Sequence, residues 1–193
     1  MKKIFFLLTL SLNFFFLNGQ STLPGGFLKG YILTNKDTIH CYVYNKYFFK
    51  DCEVVKYKFS KDDQVKEIYI DNIVEIRDNE LLYRKLVLNK KAFIAIQIIN
   101  GPVSLYTVNP TYQMVGGYHY NYQHDNKGVY YLGKSDEVVR IEKNSYKESL
   151  KSILTGDPET TKKIDELANY SDVYTYIKAL VNNYNAKLKT QGK

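Results

Sequence analysis

Long apolar runs are scarce in this chain, and this limits how it can meet a membrane. Only residues 4–17 form an almost entirely apolar stretch, and Asn13 interrupts it. A helix that spans a bilayer needs about 20 apolar residues. No cysteine lies near the end of the stretch, which excludes lipid attachment through an N-terminal cysteine. We therefore expect no membrane span in the mature chain.

Arginine is rare and tryptophan is absent. Lys and Arg together number 27, but only Arg77, Arg84 and Arg140 are arginines. The lysines are scattered along the chain, whereas nucleic-acid-binding proteins cluster basic residues on one element and use Arg to grip phosphates and base edges. The formal net charge of +7 therefore indicates a solvated basic surface. We expect no nucleic-acid partner.

The residue groupings on which most catalytic and metal sites depend are also missing. There is no Gly-x-Ser-x-Gly nucleophile elbow. His40 and Cys41 are adjacent on a predicted strand, so they point to opposite faces and cannot form a thiolate–imidazolium pair. His119, His124 and Asp125 come nearest to a metal-binding group, but the last two fall at a predicted turn. The sequence predicts no catalytic residue, no metal and no cofactor.

The N-terminus has the layout of a secretory signal. Lys2 and Lys3 precede the apolar stretch, and small or polar residues follow it at positions 18–21. We expect cleavage after Gly19, so that residues 1–19 are a signal peptide and residues 20–26 a flexible entry to the mature chain. This predicts an exported protein, in the periplasm, on the cell surface or in the medium.

The rest of the chain divides into strands followed by helices. Alternating apolar and polar residues between turn-forming groups predict a β-rich domain over residues 27–144. From Ser145 the apolar residues recur at helical spacing, which predicts about three C-terminal α-helices over residues 145–188, packed on the β-rich domain, with a tail over 189–193. Strands that precede helices, rather than alternate with them, are typical of α+β proteins. The predicted fold is therefore α+β, with a largely antiparallel β-sheet, as a small barrel or sandwich, before the helices.

Turn and cap patterns predict where individual elements begin. The Asn100-Gly101 dipeptide accepts positive φ at low cost and predicts a hairpin between residues 92–99 and 103–108. Ser145 followed by Glu148 is a capping box, which predicts a helix start. Two further helix starts are predicted at Asp157-Pro158 and Ser171-Asp172, from a cap residue with a first-turn proline in one case and a Ser-Asp cap in the other.

Four short motifs follow one another in a characteristic order. A Gly-led strand, turn and Asp-Thr-Ile strand occupies 30–39, an aromatic-x-Asp-x-Ile step 69–73, a Gly-x-Val-x-Leu-Tyr arm 101–106, and a Tyr-Tyr-Leu strand 130–132, before the helices. In this order they resemble an uncharacterised family of exported proteins of Bacteroidota-type bacteria. The resemblance implies an exported, β-rich domain with C-terminal helices, and no particular activity.

Three tyrosines share one face of a predicted strand. In residues 118–123, Tyr118, Tyr120 and Tyr122 alternate with polar residues, and we expect this strand to pair with residues 129–132. A row of rings with hydroxyl tips suits stacking on sugar faces combined with hydrogen bonding. The alternative is that the rings are ordinary cross-strand packing. We interpret them as a candidate ligand-binding face.

The two cysteines form a candidate disulfide. Cys41 and Cys52 flank residues 45–51 symmetrically, so a hairpin there would bring them opposite each other. Export would allow such a bond to persist. The alternative is two free thiols, with Cys41 in the core.

Two functional hypotheses remain. The leading one is a non-enzymatic envelope protein that binds a glycan or an envelope protein partner. The alternative is a secreted hydrolase whose site is built from scattered carboxylates, for which Asp71, Glu75 and Asp78 are candidates. A glycoside hydrolase needs two carboxylates about 5 to 9 Å apart across a cleft, and nothing in the sequence places two of these residues so.

Overall fold

The computed structural model describes residues 26–44, 53–78, 81–108, 111–115, 119–123 and 129–191. Their strands are β1 Phe27–Thr34, β2 Thr38–Tyr44, β3 Val54–Lys58, β4 Lys66–Tyr69, β5 Ile73–Arg77, β6 Leu82–Leu88, β7 Lys91–Ile99, β8 Val103–Val108, β9 Thr111–Val115, β10 His119–Gln123, β11 Val129–Lys134 and β12 Glu137–Arg140. Ten of them form one antiparallel sheet in the order β12-β11-β8-β7-β6-β5-β1-β2-β3-β4, while β9 and β10 form a separate pair.

Three α-helices follow the sheet. They are α1 Tyr146–Ile153, α2 Pro158–Asp165 and α3 Tyr170–Gln191, and two short 3-10 turns lie at Ile70–Asn72 and Lys143–Ser145. The predicted α+β class, with a β-rich part before three helices, is confirmed. Helix α3 includes residues 189–191, which the sequence analysis assigns to a tail.

The helices cover one face of the sheet at β8 and β11. The strands contribute Leu105 and Leu132 to this core, and the helices contribute Ile153, Ile177 and Val181, all of which are fully buried. Burying one such side chain contributes roughly 1.5 to 3 kcal/mol. The apolar stripe of α3 is therefore held on the sheet rather than left in water.

The sheet itself curls. Strand β12 contacts β6, although β11, β8 and β7 separate them in the strand order. Strand β7 is buried on both faces, with Ile94 on one side and Ala95 on the other. In the part of the chain that the structure describes, the end strands β4 and β12 do not pair with each other. The result is an open, strongly curled sheet rather than a closed barrel.

One predicted strand pairing is wrong. Strand β10 pairs with β9, with His119 opposite Val115, and β11 pairs instead with β8, with Leu132 opposite Leu105. Tyr130 and Leu132 of β11 lie in the core under the helices, which a pairing with the polar sequence of β10 would not provide. The dipeptide Gly116-Gly117, between β9 and β10 in the sequence, is the turn signal that could have revealed the correct pair.

The cap predictions have mixed outcomes. Asp157 caps α2 as predicted, accepting a hydrogen bond of 3.0 Å from the Thr160 N–H. Ser145 makes no capping hydrogen bond, because its ψ of 32° departs from the extended conformation of a normal N-cap. Helix α3 begins at Tyr170, one residue before the predicted start, and Asn169 accepts a hydrogen bond from the Ser171 N–H at 3.0 Å.

A charged contact ties the start of α2 to the end of α3. The Lys187 ammonium lies 2.8 Å from Asp157 Oδ2 and 2.5 Å from Glu159 Oε2. The hydrogen bond from Lys187, followed by those from Thr160, lowers the pKa of Asp157 to about 2. Because the folded pKa is lower than the unfolded one, this group stabilises the fold above about pH 4 and loses that effect as the pH falls toward 2.

We therefore expect Lys187→Met to be less stable than wild type at pH 7 and the difference to shrink between pH 4 and pH 2. Urea denaturation at pH 7, 4 and 2.5 measures it. Lys189→Met, which removes a lysine from the same helix without an ion pair among the described residues, is the control. A difference that stays constant over this range would contradict the assignment.

Candidate functional site

The face of the sheet opposite the helix-covered core carries a row of polar residues. Side chains alternate between the faces of a strand, and five neighbouring strands each contribute one residue to a hydrogen-bonded row on this face. We call them the polar network; they are Tyr31 of β1, Glu75 of β5, Arg84 of β6, Gln97 of β7 and Ser104 of β8. The strand register aligns them, since Glu75 lies directly opposite Arg84.

Hydrogen bonds link the polar network from end to end. The Tyr31 hydroxyl donates to Glu75 Oε1, and Arg84 Nη1 lies 2.6 Å from Glu75 Oε2. Arg84 Nε donates to Gln97 Oε1 at 3.4 Å, and Gln97 Nε2 donates to Ser104 Oγ at 3.3 Å. Each side chain is thereby held in one orientation, which is the preorganisation that a binding site needs.

The charges in the polar network are unequally exposed. The Glu75 side chain is 9% exposed and the Arg84 side chain 32% exposed. The hydrogen bond to Glu75, together with burial, raises the pKa of Tyr31, so this hydroxyl stays protonated and donates. Both oxygens of Glu75 are engaged, and the accessible charge of the network is the guanidinium group of Arg84.

A cleft opens beside Arg84, where the β11–β12 hairpin curls back over β6. Its volume is about 370 Å³, within the range of small-molecule sites. Its lining includes Arg84 and Ser104 from the polar network, together with Tyr106, Gly133 and Asp136. The cleft thus presents an aromatic ring, a cation, a hydroxyl and a carboxylate in one place.

Tyr106 is positioned by a glycine. Gln97 lies opposite Tyr106 on β7, and Ser104 of β8 lies opposite Gly133 on β11. A Cβ atom at Gly133 would come within 3.0 Å of Tyr106 Cε2, so the ring lies over the space that a side chain would fill. The absence of a side chain at Gly133 therefore leaves room for the Tyr106 ring in the lining of the cleft.

A larger groove of about 460 Å³ lies between α2 and α3. Lys163, Leu167 and Tyr176 are among its lining residues, and Tyr176 is 53% exposed. No buried, hydrogen-bonded polar group lines this groove among the described residues. We therefore regard the cleft, rather than the groove, as the candidate site.

Two of the three tyrosines predicted to bind ligand belong to the separate strand pair. Tyr120 and Tyr122 belong to β10, opposite Met114 and Tyr112 of β9, in the two-stranded sheet. Tyr118 lies outside the described residues. Their role in binding stays a prediction.

The predicted disulfide also stays a prediction. Cys41 is buried in the core of β1–β7, and burial raises the pKa of its thiol to about 11. Cys52 lies outside the described residues. Cys41 pairs with Gly30 across β1 and β2, and Tyr42 lies opposite Lys58 on β3.

Two of the candidate carboxylates, Glu75 and Asp78, have separate sets of partners. Glu75 and Asp78 are three residues apart in the sequence. Glu75 forms an ion pair with Arg84. Asp78 accepts hydrogen bonds from the Tyr83 hydroxyl at 3.0 Å and from the Leu81 N–H at 2.8 Å. Tyr83 belongs to the buried core of β1–β7, so the two carboxylates lie on opposite sides of the sheet. Asp71 is exposed. Neither buried carboxylate has a free oxygen facing the other.

Within the described ranges, no three His, Cys, Asp or Glu residues lie close enough together to hold a metal ion. The same part of the chain contains no helix that is long and apolar enough to cross a membrane. His124 and Asp125, weighed as metal ligands from the sequence, lie outside it.

Comparison with known proteins returned no match: no family model, no curated protein and no solved structure matches this chain. The site must therefore be interpreted from its own geometry.

The sequence analysis did not predict the residues of the cleft, although the sequence contains one signal for them. Beyond its first residue, Lys91, the central strand β7 has Gln97 as its single polar residue. A polar residue there requires partners on neighbouring strands. Following the strand pairing outward from Gln97 would have identified Tyr106, directly opposite on β8, and Arg84, which lies diagonally across on β6.

Proposed function

We propose that this protein is exported and binds a glycan of the cell envelope in the cleft, without transforming it. The observation that carries the proposal is the juxtaposition of the Tyr106 ring with the fixed hydrogen-bonding groups of Arg84 and Ser104 in one cleft. The N-terminal layout of residues 1–19 supports export.

The chemistry of the cleft suits a sugar. Each sugar hydroxyl both donates and accepts hydrogen bonds, and the cleft offers donors on Arg84, an acceptor on Asp136 and the remaining lone pair of the Ser104 hydroxyl, which itself donates to the Gly101 carbonyl. The Tyr106 ring offers an apolar face against which the C–H groups of a sugar ring can pack, and its hydroxyl supplies a polar tip. Held side chains lose little conformational entropy when a ligand binds.

The hydrolase alternative has less support. Retaining and inverting glycosidases both need two carboxyl groups facing the same bond. Glu75 is held by Tyr31 and Arg84, and Asp78 lies on the other side of the sheet. Asp136 is the one carboxylate among the described residues that line the cleft.

The proposal predicts that Tyr106→Leu weakens glycan binding about tenfold, since the ring and its stacking contribution are lost while much of the apolar volume stays. Isothermal titration of the mature protein with cellohexaose, maltohexaose and soluble peptidoglycan fragments measures it. Arg84 is left intact in this test, because its removal would strand a buried carboxylate and cost several kcal/mol of stability.

Tyr176→Leu is the matched control, because Tyr176 is an exposed tyrosine on α3 and lies outside the cleft. It should bind as wild type does. Equal binding by the two variants, or no binding of any of these probes by wild type, would overturn the proposal in favour of a protein partner. Shortened oligosaccharides after prolonged incubation would favour the hydrolase.

A further inference from the structure

The same side of the sheet continues past the polar network onto β1, β2 and β3, where its character changes. Most of the residues that face outward there, together with Arg77 at the end of β5, are aromatic or basic. We call them the basic aromatic face; they are Phe27, Lys29, Tyr42, Tyr44, Lys58 and Arg77. Alternation places them opposite the buried positions of the same strands, such as Val43.

The strand register arranges this face in rows. Tyr42 lies opposite Lys29 on β1 and opposite Lys58 on β3, so two lysines flank one ring. Neighbouring strands are about 4.8 Å apart, which places the backbones of Lys29 and Lys58 about 10 Å from each other. In the adjoining row, the rings of Phe27 and Tyr44 are 5.0 Å apart between centroids, and Lys58 Nζ lies 4.9 Å from the Phe27 centroid.

The positive charges of this face are not neutralised within the described strands. Lys29, Lys58 and Arg77 form no ion pair there. The two carboxylates on this side of β1–β5 are already engaged: Glu67 lies 3.5 Å from Lys56, and Glu75 is held by Arg84. Lys29 and Arg77 are exposed. Among the described residues, the face therefore carries cations that no carboxylate pairs with, placed between aromatic rings.

We propose that the basic aromatic face binds an anionic polysaccharide, one whose sugar units carry carboxylate groups. The lysines and Arg77 would pair with the carboxylates, and the Tyr42 ring between the lysines would pack on a sugar face. The inference rests on the proposed function only in taking the ligand to be a glycan. The surface is separate from the cleft and selects for charge, which the cleft does not.

A polysaccharide fits this face better than a bilayer does. The rings of Phe27, Tyr42 and Tyr44 are half-buried, so they lie along the sheet and do not project far enough to enter the hydrocarbon region. An extended polymer can follow the rows across three strands and meet a cation, a ring and a second cation in turn. The face matches such a ligand in charge as well as in shape.

The test uses polygalacturonate as the probe and neutral dextran as its uncharged counterpart. Microscale thermophoresis of the mature protein should show binding of polygalacturonate that weakens as NaCl is raised, whereas the signal with dextran, which can bind only through the cleft, should not depend on NaCl. The double variant Lys29→Gln/Arg77→Gln should bind polygalacturonate roughly tenfold more weakly, since each exposed charge contributes modestly. Lys143→Gln/Lys189→Gln removes the same charge from exposed positions elsewhere and should bind as wild type does.

Three outcomes would overturn the inference. They are equal weakening by the two double variants, tighter binding to vesicles that contain an anionic phospholipid than to polygalacturonate, and tighter binding to a double-stranded oligonucleotide. Failure here is distinguishable from failure of the proposed function, because Tyr106→Leu should leave polygalacturonate binding intact. Conversely, Lys29→Gln/Arg77→Gln should leave the binding of a neutral oligosaccharide in the cleft unchanged.

Discussion

Replacing Asn185 with Ala is expected to lower the free energy of unfolding by about 2 to 5 kcal/mol, because it strands two buried backbone groups. The Asn185 side chain of α3 is 6% exposed and faces β8. Its Oδ1 accepts a hydrogen bond of 2.9 Å from the Val103 N–H, and its Nδ2 donates one of 2.7 Å to the Val103 carbonyl. The side-chain amide of Asn185 thus makes the two backbone hydrogen bonds with Val103 that a neighbouring strand would otherwise make.

The position of Val103 explains why it needs this partner. Val103 is the first residue of β8 and pairs with Lys134 of β11 on one side. The described pairing with β7 begins at Leu105, opposite Ile99. Gly101 completes the arrangement, since a Cβ atom there would come within 2.6 Å of Asn185 Nδ2. Helix and hairpin are therefore joined by hydrogen bonds as well as by apolar packing.

Chemical denaturation of three variants measures this effect. Asn182→Ala makes the same change at an exposed position of α3 and should be neutral or slightly stabilising, since Ala favours helix. Asn185→Asp keeps one acceptor but sets a carboxylate oxygen against the Val103 carbonyl, so it should be at least as unstable as Asn185→Ala at pH 7. If Asn185→Ala matched Asn182→Ala, the two hydrogen bonds would contribute nothing net.

The contrast between Asn185 and its neighbours shows what a sequence can predict here. The apolar stripe of Ile177, Leu180 and Val181 predicts a helix and the face that it buries, because burial of such residues dominates the free energy of packing. Asn185 continues this stripe as a polar residue, and no local pattern says which backbone groups it will meet 82 residues earlier in the chain. The class of fold was therefore predictable, whereas the polar contacts that fix its register were not.

The same limit applies to the candidate site. Glu75, Arg84 and Gln97 all lie within the predicted β-rich domain, yet the contacts among them depend on the order in which the strands pair. Strand β1 lies between β5 and β2, so Tyr31 reaches Glu75 only through a pairing that is non-local in sequence. The sequence analysis selected the tyrosines of residues 118–123 as a candidate site because their spacing is local and regular. A site assembled across five strands leaves no such regular spacing.

Gly30→Ala is expected to destabilise the protein by about 3 kcal/mol or more, because there is no space for a side chain at this position. Gly30 lies in β1, opposite Cys41 of β2. A Cβ atom there would lie 1.8 Å from the Arg77 carbonyl oxygen and 2.9 Å from Asp78 Cα. Both contacts are with backbone, so relief requires β1 and β5 to move apart at the point where their pairing ends.

The matched comparison for Gly30→Ala is Gly133→Ala, which tests whether the obstacle is backbone or side chain. At Gly133 the nearest atom is Tyr106 Cε2 at 3.0 Å, and a ring can rotate away. Thermal and urea denaturation should therefore show a loss for Gly133→Ala that is well below that for Gly30→Ala, together with weaker glycan binding as the Tyr106 ring shifts in the cleft. Similar losses of stability for the two variants would mean that β1 and β5 separate easily. In that case the requirement for glycine at position 30, which opens the first of the four sequence motifs, would need a cause other than this close approach.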